Sequence, residues 1–434
     1  MHNEETPIEK AVLVAIDMDP ADGEFDPDLN ELELLAATDG AETVGKLIQK
    51  REAPHPGTYI GKGKLEELRD LISLTEAGCI IFDDELSPAQ HKNLNRILEV
   101  KIIDRTMLIL DIFAMRAISA EGKAQVETAR LKYRLSHLSG LGAALSRLGG
   151  GSSGGIGARR GSGETKMETD KRHIKNRLNQ LNAELKEISV QRGVNREKRM
   201  SSGIPVVSMV GYTNSGKSTL MNALTNAGVL AEDKLFATLD TTTRKSVLKS
   251  RETDNSQGMD VLFTDTVGFI RKLPHHLIQA FRATLEELGS SDILIHVVDI
   301  SNDAAADQMK VVYDTLDSLG YGQKPVITVY NKIDAPASGG PYPTDARAAA
   351  RIPLSAKTGE NIDLLYRELE NLIQKTRNKI HVLIPYNEGR LVETLHRRCE
   401  ITREEHTEEG TYAEVFCDDQ TKSKLAPYIV PEKI

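Results

Sequence analysis

A chain of 434 residues, 39% of them hydrophobic and 27% charged, exceeds what one ordinary core accommodates and points to two or three globular domains. The balance excludes global disorder, and no apolar run approaches the roughly 20 residues of a membrane-spanning helix, so stable membrane insertion is not expected. The net charge of −9 argues against a general affinity for nucleic acid, and no DNA partner is expected. The acidic, polar start MHNEETPIEK lacks the basic end and apolar core of a secretory signal, which predicts a cytoplasmic protein. Cys79, Cys399 and Cys417 are far apart and form no C-x-x-C pair, which argues against a disulfide framework or a zinc site.

Residues 1–115 alternate apolar runs with helical patterns: AVLVAID from Ala11, a helix over Glu31 to Ala37, GCIIFD from Gly78 and KIID from Lys101. That rhythm predicts an N-terminal α/β domain with a mostly parallel sheet. Leu65, Leu68, Leu71 and Ile72 have helical spacing, and Ser87-Pro88 reads as an N-cap followed by proline at the first helical position. The segment TYIGKGK, Thr58 to Lys64, is either a phosphate contact or a plain strand-to-helix turn.

Over residues 116–200 the pattern changes to long helices. Leu131, Leu135, Leu138, Leu145 and Leu148 form one stripe, and Ile174, Leu178, Leu181, Leu185 and Ile188 a second with heptad steps, so an antiparallel helical hairpin is predicted. This stretch holds 18 Lys and Arg against 8 Asp and Glu, a local basic surface on an acidic protein. Between the helices, residues 149–163 contain eight glycines in fifteen positions with Arg159 and Arg160 embedded. The loop is either a flexible connector or a basic finger that approaches RNA closely through those two arginines.

Residues 201–376 carry the chemistry. After the apolar run IPVVSMV comes Gly211-Tyr212-Thr213-Asn214-Ser215-Gly216-Lys217-Ser218, a G-x-x-x-x-G-K-S loop between a strand and a helix. Its main-chain N–H groups would wrap phosphates, Lys217 would reach the β- and γ-phosphates, and Ser218 would ligate Mg²⁺. Downstream stand Asp265-Thr266-Val267-Gly268, then Asn331-Lys332-Ile333-Asp334, then Ser355-Ala356-Lys357, each after a predicted strand. Asp265 would hold Mg²⁺ through water, and the Gly268 N–H would sense the γ-phosphate. The N-K-x-D element selects guanine, because a carboxylate accepts from both N1–H and the exocyclic amine; Asn331 and the Ala356 N–H would support the base. A switch within LFATLDTTTR, Leu235 to Arg244, must supply a threonine to Mg²⁺ and the γ-phosphate, and its residues Phe236, Ala237, Thr238, Leu239 and Asp240 are candidates for nucleotide contact. Thr238 is the first choice, with Thr241, Thr242 and Thr243 as competitors. Phe269 stands where many signalling GTPases carry a water-positioning glutamine, which predicts slow intrinsic hydrolysis that a large partner completes. Lys217, Thr238, Asp265 and Gly268 are therefore the candidate catalytic residues.

The motif series resembles the translation-factor-related P-loop GTPases. FATLDTTTR, DTVGFIRKLPHHLIQAFRATLEE, YIGKGKLEEL, FDDELSPAQ, DRTMLILDIFAMRA and GARRGSGETKMETDKR narrow the resemblance to the HflX family of the Obg-like branch, over nearly the whole chain. It implies an α/β N-terminal domain with a helical hairpin, a GTPase domain, and a small α/β C-terminal domain over 377–434. It also implies GTP/GDP and Mg²⁺ as ligands, the large ribosomal subunit and its rRNA as partner, a monomeric state, and a role in ribosome splitting or rescue under stress. Thr241 stands where a proline is common in that switch.

Overall fold

The computed structural model describes residues 8–18, 26–148, 162–201, 203–225, 235–236, 241–248, 259–272, 285–335, 342–376, 378–417 and 419–431. The chain forms two compact units: one of residues 1–188 with 232–240 and 271–282, the other of 189–231, 241–270 and 283–434. Among the described residues no helix is long and apolar enough to cross a membrane.

In the first unit, β1 (Glu9–Asp17) is buried over its last seven residues, so both of its faces are covered and it reads as a continuous apolar run. It pairs in parallel with β2 (Ala41–Lys50) and β3 (Cys79–Phe82), and β3 pairs in parallel with β4 (Lys101–Asp104), giving the order β2-β1-β3-β4. The sequence pattern misses β2. This edge strand is only half-buried and has no apolar run, so its pairing with β1, and not its own hydrophobicity, makes it a strand. Among the described residues four helices belong to this sheet: α1 (Asp26–Asp39), α2 (Lys62–Thr75), α3 (Pro88–Leu98) and α4 (Arg105–Arg116). The N-cap at Ser87 is a full capping box, in which Ser87 Oγ accepts from the Gln90 N–H and Gln90 Oε1 accepts from the Ser87 N–H.

Two long helices follow, α5 (Ala120–Leu148) and α6 (Ser162–Ser201), bridged by a bidentate Arg177–Glu127 pair at 2.7 and 2.8 Å. On α6 the heptad residues Ile174, Leu178 and Leu181 are buried. On α5 the buried apolar residues include Val126, Ala129 and Tyr133, while Leu131, Leu135 and Leu138 are only half-buried. The reason is that α5 also packs on α3 and α4, which covers a face that the leucine pattern does not mark. Arg159 and Arg160 lie outside the described residues.

At the carboxyl ends of β3 and β4, Arg105 is buried between Asp83, at 2.7 Å, and Glu31. Lys272 pairs with the same Asp83 and with Asp84. Phe236 packs edge to face on Phe113, ring centroids 4.6 Å apart. Residues 235–236 and 271–272 therefore group with the N-terminal elements, although they follow nucleotide-site motifs in sequence.

The second unit is built on a six-stranded sheet, order β10-β9-β8-β5-β7-β6. Its strands are β5 (Val206–Gly211), β6 (Thr242–Leu248), β7 (Met259–Asp265), β8 (Ile293–Asp299), β9 (Val326–Asn331) and β10 (Ala350–Pro353). Only β6 runs antiparallel. Helices α7 (Lys217–Thr225), α8 (Ala305–Ser318) and α9 (Ile362–Thr376) accompany it. A separate antiparallel sheet, β11 (Asn378–Ile384), β13 (Gly410–Cys417) and β12 (Glu400–Thr407) in that order, shares its core with α10 (Gly389–Arg398) and α11 (Asp419–Leu425). The fold class is thus α/β throughout, with a mainly parallel central sheet.

Candidate nucleotide-binding site

Every motif of the second unit sits at the carboxyl end of a parallel strand, where open α/β sheets bind ligands. β5 ends in the phosphate loop, β7 in Asp265, β9 in Asn331, and the segment after β10 in Ser355-Ala356-Lys357. Asp299 ends β8.

The phosphate loop is held from two sides. The Thr213 N–H donates to the Phe269 carbonyl at 2.8 Å, and the Phe269 N–H to the Gly211 carbonyl at 3.1 Å. These bonds zip the loop to the strip that follows Asp265. The close approach explains Gly268, because a Cβ there would lie 2.8 Å from the Thr213 backbone and 3.0 Å from Lys217 Nζ. At Gly216 φ is +95°, and a Cβ would meet Asn331 Nδ2 at 2.2 Å, so only glycine fits. Asn214 also has positive φ, a conformation that asparagine tolerates.

Lys217, at the N-terminus of α7, is buried, and its Nζ donates to the Gly211 and Tyr212 carbonyls at 3.2 and 2.7 Å. Burial pushes its pKa down to about 8, against the pull of Asp265. Ser218 Oγ donates to Asp265 Oδ2 at 2.8 Å. A hydroxyl and a carboxylate side by side are the hard oxygen donors that Mg²⁺ prefers. Thr266 is turned inward, its hydroxyl donating to the Met209 carbonyl at 2.6 Å, and Val267 is buried.

On the other side of the loop, Asn331 works as a connector. Its Nδ2 donates to the Ser215 carbonyl at 2.8 Å and its Oδ1 accepts from the Ala356 N–H at 2.9 Å. One amide thereby ties three motifs together. The exposed Asp334 accepts from Ser355 Oγ at 2.6 Å, and that bond first of all holds its carboxyl below the usual range. Lys332, at positive φ, pairs with Asp299 at 2.6 Å, and the Ile333 N–H reaches toward the Leu354 carbonyl. Sequence reasoning passes over Asp299, although an Asp closing the buried run ILIHVVD was its visible signal.

Lys357 is exposed. Thr242 and Thr243 lie in β6, with the Thr243 hydroxyl 3.1 Å from that of Thr264; Ala237, Thr238, Leu239 and Asp240 lie outside the described residues. Phe236 is packed on Phe113 as described above. The Phe269 ring is a core side chain, clustered with Val210, Leu288 and Leu294, so it offers nothing that could orient water. Among the described residues no group of three His, Cys, Asp or Glu side chains could hold a metal by itself, and none of the three cysteines forms a disulfide.

Three family models match in succession: a GTP-binding GTPase N-terminal region over residues 26–114, a GTP-binding GTPase middle region over 116–199, and a 50S ribosome-binding GTPase over 206–332. The GTPase HflX of Lacrimispora saccharolytica is 48% identical over 96% of this chain and 96% of its own. That of Escherichia coli K12 is 39% identical over 88% of each. A solved GTP-binding protein from Sulfolobus solfataricus, in complex with GDP, is 25% identical over 84% of this chain and 98% of its own, with a TM-score of 0.43. With the phosphate-loop and N-K-x-D motifs and identity sustained over 96% of both chains, the chain belongs to the HflX family of GTPases and hydrolyses GTP to GDP and phosphate.

Proposed function

We propose that this GTPase associates with the large ribosomal subunit and acts in splitting or rescuing stalled ribosomes under stress. The reading is carried by one combination: a segment matching a 50S ribosome-binding GTPase in the same chain as a hairpin region with ten more basic than acidic residues. Phosphate-rich RNA is the natural partner for such a local excess.

At the site, main-chain N–H groups of the loop over residues 211–218, apart from that of Thr213, and Lys217 take the phosphates. Ser218 would ligate Mg²⁺, with Thr238 as the expected switch ligand, and Asp265 would reach the ion through water. When bound, the ion neutralises charge that develops on the phosphates. Asp334 reads guanine, and Asn331 acts by holding the phosphate loop and the Ser355–Lys357 loop in register. With its ring committed to the core, Phe269 does not orient the attacking water. Hydrolysis is accordingly slow alone and rises when the ribosome completes or orders the switch.

Sedimentation with purified large subunits and a non-hydrolysable GTP analogue, together with GTP turnover measured with and without subunits, tests this. Co-sedimentation and a rise in turnover are the expected results. Absence of both leaves a GTPase switch that recruits protein effectors without RNA contact.

A further inference from the structure

The helix α3 carries two stripes. Gln90, Leu94 and Leu98 are buried in the unit, whereas Pro88, His91, Lys92 and Asn95 recur at i, i+3, i+4 and i+7 along another line of the same helix. That second line, together with His137 of α5, walls a cavity of about 310 Å³, large enough for a small ring system. The imidazoles of His91 and His137 meet edge to face, with centroids 6.0 Å apart and planes at 78°. The Tyr133 ring stands 4.1 Å from His137, fixed in turn by its hydroxyl, which donates to Asp104 at 2.7 Å.

Two histidines this close would suggest a metal, but three of their four ring nitrogens lie beside main-chain carbonyl oxygens. In His137, Nδ1 lies 3.0 Å from the Tyr133 carbonyl oxygen and Nε2 lies 3.2 Å from that of Leu86. His91 Nε2 lies 3.2 Å from the Ile102 carbonyl oxygen. The cavity is left with aromatic surface in fixed orientation, the second nitrogen of His91 and the apolar ring of Pro88. At its exposed rim stand the Asn95 amide, which both donates and accepts, and the Lys92 ammonium. Flat aromatic walls, one bifunctional amide and one cation match an unpaired nucleobase on a phosphate backbone.

We propose that this cavity receives one unpaired base of a single-stranded RNA segment, stacked against the histidine walls, with Asn95 reading its edge and Lys92 pairing with its phosphate. The proposal rests on the ribosomal reading above and adds a site outside the GTPase motifs and outside the Gly-Arg loop.

The test uses the full-length protein, a single-stranded RNA oligonucleotide carrying 2-aminopurine, and purified large subunits. Wild type should quench the 2-aminopurine on binding. His91→Ala and Asn95→Ala should each weaken oligonucleotide binding by about tenfold and relieve the quenching. His91→Phe, which keeps the ring surface, should bind within about twofold of wild type, and an abasic oligonucleotide should bind about tenfold more weakly than the intact one. Asn95 is exposed, so its removal leaves the fold and the basal GTP hydrolysis unchanged. Equal binding and quenching by wild type and Asn95→Ala, or equal affinity for the abasic strand, would overturn the proposal. If wild type binds the large subunit and both alanine variants bind it equally well, only the cavity assignment falls; if wild type binds neither subunit nor oligonucleotide, the ribosomal reading falls with it.

Discussion

Asp334 and Asn331 lie three positions apart in one motif, yet their chemistry differs. Both polar atoms of the Asn331 amide are committed to main-chain groups of Ser215 and Ala356, while the Asp334 carboxylate is exposed and held ionised by Ser355. Guanine selection should therefore rest on Asp334. In Asp334→Asn, where an amide replaces two acceptors with one acceptor and one donor, GDP affinity should fall about 10- to 100-fold, the worth of hydrogen bonds to a charged group. Xanthine nucleotides should gain relative to guanine nucleotides in competition binding, and an unchanged ratio would refute the assignment. His296, buried in β8, gives a second residue-level prediction. Burial pushes its pKa down to about 4, against the opposing pull of Asp345. Asp345 itself accepts from Tyr313 Oη, Thr328 Oγ1 and the Arg347 N–H. The unfolded imidazole takes a proton near pH 6.5 that the folded one refuses. Stability is thus fully present above about pH 6.5 and is lost as pH falls toward 4, by about 2–3 kcal/mol between pH 7 and pH 4.5. Urea unfolding across that range should show the loss in wild type and a smaller one in His296→Phe; equal losses would contradict the argument.

At the scale of elements, the parallel strands place the motif loops side by side because β5, β7, β8 and β9 all end on one edge of the sheet. Their sequences announce this, since strands buried on both faces read as unbroken apolar runs. The helices were less legible. The leucines of α5 suggested a single seam, whereas burial follows Val126, Ala129 and Tyr133, because α5 packs on α3 and α4 as well. The segment between α5 and α6 carries the element-level prediction, motivated by Arg159 and Arg160 within a glycine-rich stretch of the basic region. Replacing both arginines with alanine should reduce subunit-stimulated GTP turnover at least about tenfold at physiological salt, through lost phosphate and base contacts. Partner-free GTP binding and basal hydrolysis should stay within about twofold. Undiminished stimulation would make the segment a connector only, and a collapse of GTP binding would tie it to the nucleotide site.

For the whole molecule, the division into two compact units, each with its own buried core, has a thermodynamic consequence. Separate cores can unfold separately, so one unfolding free energy does not describe the chain. The nucleotide motifs from Gly211 to Ser218, Asp265 to Gly268, Asn331 to Asp334 and Ser355 to Lys357 all belong to the second unit. GDP at about a hundredfold excess over its Kd should stabilise that unit by about 2.7 kcal/mol. Calorimetry should show two transitions, of which GDP raises one. A single transition, or an equal shift of both, would show that the units unfold as one body.

The sequence alone determined the GTPase family and the fold class. Phosphate-loop and N-K-x-D motifs are local in the chain, and their spacing after apolar runs is imposed by one strand-loop unit at a time. Tertiary structure alone decided the edge strand β2, whose half-exposed residues gain strand character only from pairing with β1. It decided that Asn331 is a tie between loops 116 and 25 residues away in sequence, that Phe269 belongs to the core, and that Phe236 packs on Phe113. It also brought His91, Asn95 and His137 around one cavity. Each of these depends on which distant surfaces meet, and that follows from burying the cores, since no local pattern of residues encodes it.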